Sequence, residues 1–144
     1  MTATPASLWQ RIAAAIYDLF PLLALWMLTA GFALLLVHGT VDLVHPSLAW
    51  RIGLRLALLV VTAAYFVVSW TRGGQTIGMR AWRLRVVDVS GGALPPARAL
   101  LRFVVACVSL GVFGAGFLWC LVDRERRSWH DIAARSHVAR LPKA

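Results

Sequence analysis

Residues 11–20 read RIAAAIYDLF, and Asp18 carries the one carboxylate in an apolar run that extends from Ile12 to Val37. An acid placed in hydrocarbon is costly, so such a residue is either paired or put to use. Tyr17 precedes it, and Pro21 follows three positions later. A proline inside a helix removes one N–H and frees a carbonyl a turn earlier, here that of Tyr17. An acid, a phenol and a freed carbonyl within one turn could hold a proton or a small cation. If the first two apolar segments pack antiparallel, Asp18 falls level with Thr62 and Tyr65, which are three apart and share a helix face. A carboxyl group with only hydroxyl partners in an apolar setting can carry a proton. The alternative role is a polar clasp between helices, typically worth about 0.6 kcal/mol.

Arg11 lies seven residues before Asp18. On a helix the two are only about 20° apart in direction but about 10.5 Å apart along the axis. That is too far for a direct ion pair, so each needs another partner on the same face. Asp131 is the expected partner of Arg11 if the tail returns to the same membrane face, with His130 beside it in a structural polar network. His130 and Asp131 are adjacent, so on a helix they point about 100° apart and do not form a catalytic dyad. The chain shows no nucleophile arrangement and no cofactor fingerprint, and it is read as a non-enzyme without cofactor. His38, Asp42 and His45 have no standard metal spacing. The glycines at 73, 74 and 78 lack the Gly-Lys-Ser/Thr ending of a phosphate loop.

The elements that must position these residues follow from composition. The 144 residues suffice for one domain, are 60% hydrophobic and have a mean hydropathy of +0.72; soluble domains are about 45–50% apolar. The expected class is an all-α membrane protein with a small cap that contains a short strand pair. A first helix spans about 8–37, too long in its apolar part for a cleaved leader. A second spans about 47–70. A Gly/Arg-rich segment fills 71–97, a third apolar segment 98–122, and a basic tail 123–144. The net charge of +9 fits cytoplasmic flanks of membrane helices better than nucleic-acid binding. No nucleic-acid partner is expected; the basic face suits anionic lipid.

The third apolar segment raises a conflict. Basic residues precede it (Arg72, Arg80, Arg83, Arg85, Arg98) and follow it (Arg124, Arg126, Arg127, Arg135, Arg140, Lys143). One straight crossing puts the two blocks on opposite sides, against the positive-inside tendency. A hairpin turning near Gly111, Gly114 and Gly116 keeps both on one side, and the charge pattern leans that way; by length alone, a straight span is the default. The alternation in WRLRVVDV predicts a strand over Arg83–Val89, and SHVARL, Ser136–Leu141, offers its partner. A short polar helix is expected around Asp123–Ala134.

Four motifs in order resemble the RDD family of small bacterial membrane proteins. They are Arg11 with Asp18; Gln75, Thr76, Gly78 and Arg80 leading into Leu84, Val86, Val87, Asp88 and Gly91; Ala97, Arg98, Leu100 and Arg102; and His130 with Asp131. Arg135-Ser136 stands where the family has Gly-Thr. The resemblance implies a multi-pass protein of the bacterial plasma membrane. Cation–proton antiport and assembly roles have both been proposed for members. Two functions therefore stand open: proton-coupled transport of a small cation through Asp18, or a non-transporting scaffold that binds partner proteins or anionic lipid. With so few helices, transport calls for a homo-oligomer or a partner membrane protein.

Overall fold

A computed structural model describes residues 4–37, 42 and 44–142. After a two-residue strand β1 (Thr4–Pro5), helix α1 runs over Leu8–Leu36. Ser7 and Gln10 form its reciprocal capping box. Helix α2 covers Leu48–Arg72, with Ser47 capping the Trp50 amide. These two helices are long and apolar enough to cross a membrane. Pro21 lies inside α1 without ending it. His38 lies outside the described residues.

Short helix α3 (Ile77–Ala81) leads into strand β2 (Leu84–Asp88). Helix α4 (Pro96–Gly111) follows, then α5 (Ala115–Leu118) and a 3₁₀ turn over Trp119–Leu121. Helix α6 (Trp129–Ala133) and strand β3 (Ser136–Arg140) complete the chain order.

The expected strand pair is present. β2 and β3 are antiparallel, from Leu84 opposite Arg140 to Asp88 opposite Ser136. Hydrogen bonds from Leu141 N to Arg83 O and from Val89 N to Arg135 O extend the pairing at both ends. β1 adds a short third strand on the far edge of β3, which the sequence pattern did not announce. The other edge of β2 is covered, since Val86 N donates to Gly74 O at 2.7 Å and Gln75 Nε2 to Leu84 O at 2.7 Å. Gly74 adopts φ +68°, and a side chain there would meet Val86 O, so the close approach requires glycine.

Period-2 alternation buries Leu84 and Val86 while Arg85 points out. With Val138 of β3, these residues pack against Trp70 of α2, Ala14 of α1, and Leu94, Ala99 and Phe103. The core thus sits where the membrane helices meet the cap.

The third apolar segment is not a straight span. Its two helical pieces are bent by 107°. Phe113 and Gly114 carry the turn at φ 52° and 74°. Gly116 brings α5 back onto α4, where an added Cβ would lie 2.5 Å from Ser109 Oγ. Because β2 before the segment and β3 after it share one sheet, the described residues of both basic blocks lie at the same end of the helices. The tail helix is shorter than the expected Asp123–Ala134. Arg126 takes a left-handed φ of 55°, and Ser128 starts a new helix with its own capping box to Asp131.

Candidate functional site

Two acids are buried, and each organises its own polar cluster. Asp18 of α1 is 3% exposed. Its Oδ1 accepts from the Tyr65 hydroxyl at 2.7 Å and from the Gly78 amide at 2.8 Å; its Oδ2 accepts from the Thr76 hydroxyl at 2.5 Å. Tyr65 comes from α2, Thr76 is the N-cap of α3, and Gly78 lies within α3. Tyr65 OH also accepts from the Ile77 amide at 3.2 Å. Gly78 is there because nothing larger fits: an ideal Cβ would stand 1.9 Å from Ala14 O. The small helix is pressed onto α1 until its backbone reaches the carboxylate.

This corrects the expected surroundings of Asp18. Tyr65 is a partner, as expected. Thr62 is not; it donates to Leu58 O at 2.7 Å and accepts from Trp26 Nε1 at 2.9 Å. Trp26 is eight residues beyond Asp18, about 12 Å farther along α1. The helix register therefore puts Trp26, not Asp18, beside Thr62, and α3 fills the space around the acid. Tyr17 faces outward, 49% exposed, its ring edge-on to Trp82 at 6.2 Å. Thr76 and Gly78, read from sequence as part of a cytoplasmic motif, are the missing donors. A threonine and a glycine two apart at a helix start were the signal that could have found them.

Asp131 of α6 is fully buried and anchors the second cluster. Arg11 Nη1 donates to its Oδ2 at 2.5 Å, as expected from sequence. Arg102 Nη1 donates to Oδ1, and the Ser128 amide donates to Oδ2 at 3.0 Å. Arg11 also reaches Ser128 Oγ at 3.2 Å and Arg126 O at 2.9 Å. Arg102 donates to Ser136 Oγ at 2.8 Å and lies over the Trp70 ring at 5.0 Å. The cluster thus ties α1, α4, α6 and β3 together.

Burial opposes the charge on Asp131, but Arg102 and Arg11 hold its carboxyl well below the usual carboxylate range. His130 is pushed down to about 3, first by burial and then by the charge of Arg102, so it is neutral at pH 7. Its ring packs at a tilt against Phe117, centroids 4.7 Å apart, and its Nε2 comes within 3.7 Å of Asp131 Oδ1, beyond hydrogen-bond range. The two adjacent side chains do meet, which helix geometry alone did not suggest, because Asp131 turns back to cap its own helix.

The remaining motif residues have separate places. Arg98 pairs with Asp88 at 2.7 Å, Gln75 secures the edge of β2, and Arg80 is exposed. Among the described residues, no group of three His, Cys, Asp or Glu side chains could hold a metal ion.

No curated protein and no solved structure matches the chain. The model of the RDD family does, over residues 5–135. That span contains both buried acids, both arginines that meet at Asp131, and the Thr76–Gly78 contact with α1. The chain belongs to the RDD family and is a membrane protein built on apolar helices.

Proposed function

We propose that this chain is a non-transporting membrane scaffold, an assembly module in which the buried acids fasten a cap to the membrane helices. The observation that carries this reading is the state of Asp18. Its oxygens are taken by three donors from α2 and α3, so the carboxylate is engaged as a clasp. A carrier site, by contrast, must exchange its proton or cation in each cycle. The other five acids are engaged as well: Asp42 with backbone amides, Asp88 with Arg98, Asp123 and Glu125 with Arg127, and Asp131 in its own cluster.

Exposed Arg72, Arg80, Arg83, Arg85, Arg124 and Arg126 support contact of the cap with anionic headgroups at the surface. The apolar faces of α1 and α2 support association with a second copy or another membrane protein. We place the protein in the bacterial plasma membrane, in keeping with its family, and read it as a non-enzyme.

Proton-coupled cation transport through Asp18 is the second reading. It is favoured by one observation: Asp18 lines an apolar groove of about 880 Å³ between the helices. Flux of Na⁺, K⁺ and H⁺ in proteoliposomes, wild type beside Asp18→Asn, separates the two. The scaffold reading expects both proteins to match protein-free vesicles. Flux above that background, abolished by Asp18→Asn, overturns it in favour of transport.

A further inference from the structure

The same groove is bounded by α1, α2, α4 and α5. Its walls are apolar, including Leu19, Leu22, Leu58, Leu59 and Cys107. Along α1 it extends from Leu8 to Trp26, about 27 Å of helix. Its volume lies within the roughly 300–1,000 Å³ typical of ligand sites. Its polar end is where it differs from an ordinary gap between membrane helices.

Arg11, Arg102 and His130 all line it at that end. Arg102 is 2% exposed and His130 is 5% exposed. Arg102 Nε and His130 Nδ1 have no hydrogen-bond partner among the described residues. A buried donor left unpaired costs about 1–3 kcal/mol, more when it is charged. Two guanidinium groups share the single carboxylate of Asp131, so the cluster carries a surplus positive charge at low dielectric. An acceptor that bears negative charge would answer both the surplus charge and the unpaired Arg102 Nε–H.

Among the described residues, a second copy of this chain offers no such group, since its six acids are already engaged as described above. A lipid does, because Arg11 sits near the start of α1, at the level where a phosphodiester meets the hydrocarbon.

We propose that the groove binds one anionic phospholipid, its phosphate at Arg102 and His130 and an acyl chain along α1 and α4. The inference goes beyond the scaffold reading and holds whether or not the chain carries ions. It also differs from lipid contact at the cap surface, because the headgroup enters between the helices and the chain fills an internal groove.

The test uses the full chain purified into detergent and incubated with dioleoyl-phosphatidylglycerol or dioleoyl-phosphatidylcholine, with bound lipid read by native mass spectrometry. One phosphatidylglycerol should stay on each chain through delipidation and resist a tenfold excess of phosphatidylcholine. Cys107→Trp and Leu59→Trp place bulk in open space on two different walls. Each should cut retention at least tenfold and leave the melting temperature in phosphatidylcholine within a few degrees of wild type. Arg83→Gln with Arg85→Gln, on the cap surface, should leave retention unchanged. The proposal is overturned if the two lipids are retained equally, or if the cap variant loses the lipid while both groove variants keep it. A retained fatty acid, or a dimer without lipid, also overturns it.

Discussion

Asp18 and Asp131 are both buried acids, yet they are stabilised in opposite ways. Asp18 has no cation in its hydrogen-bond shell; two hydroxyls and one amide surround it. Asp131 has two arginines, an amide and a surplus of positive charge. The first cluster is neutral donors around an acid, and the second is cations around an acid. Neutral donors are cheap to bury and can rearrange around a substitute of the same shape. Buried guanidinium groups cannot, because each has paid its desolvation and depends on its counter-ion. The two acids should therefore respond very differently to the same substitution.

The largest effect is expected at Asp131. Asp131→Asn keeps the shape but strands Arg102 and Arg11, and breaking a buried pair costs about 3–5 kcal/mol. Thermal unfolding in detergent should show a large drop or no folded protein. A loss as small as that of Asp18→Asn would erase the contrast.

At Asp18 the same change should cost about 1 kcal/mol or less. The Asn carbonyl can still accept from Tyr65 and Gly78, and its amide can donate to the Thr76 hydroxyl. Asp18→Leu leaves three donors unpaired and should cost about 3 kcal/mol or more. Equal melting temperatures for Asn and Leu would mean that the three bonds do not hold the cap.

Proton linkage gives a third comparison, confined to the charged cluster. His130 titrates at about 3 when folded, against an ordinary value of 6.5. Between those values the unfolded chain binds a proton that the folded chain refuses. Stability is therefore complete above pH 6.5 and falls as the pH drops toward 3, by up to about 1.4 kcal/mol per pH unit. Asp131 acts in the same sense further into acid, since its carboxyl is depressed and its contribution is lost below the ordinary value of 3.8. Melting curves from pH 7 to 5 should decline in wild type and flatten in His130→Phe. Parallel curves would show that His130 is not buried neutral.

A modest effect of opposite sign is expected at Arg135, which holds φ 47° immediately before Ser136. Left-handed backbone costs a non-glycine residue about 1 kcal/mol. Arg135→Gly should raise stability by about that amount and leave the bond from Arg102 to Ser136 in place. A decrease would show that the arginine side chain contributes more than its backbone loses.

The sequence made the charged cluster partly legible. Arg11 had no partner within reach on its own helix, so a distant acid was required, and Asp131 was available once the tail returned. Arg102 was visible only as a motif residue. Its position inside an apolar helix was the overlooked signal, since a buried arginine needs an acid. Around Asp18, Tyr65 followed from antiparallel packing of α1 and α2. Thr62 did not, because depth matching between two helices ignores a third element that inserts between them. That element is five residues long and has no apolar period to announce it. Charge leaned toward the bend of the third apolar segment while length left a straight span open; the turn angle and the edge strand β1 depend on tertiary contacts that no local pattern encodes.

The 120-residue separation between Arg11 and Asp131 also sets a clock. At translation rates of roughly 5–20 residues per second, Arg11 is made about 6–24 s before its counter-ion. Arg102 waits for less time but also precedes its acid. During that interval the first two helices can insert, whereas the cap cannot close. Helix α6, which emerges after both arginines, therefore acts as a latch, and β3, which follows it, can join the sheet only later still.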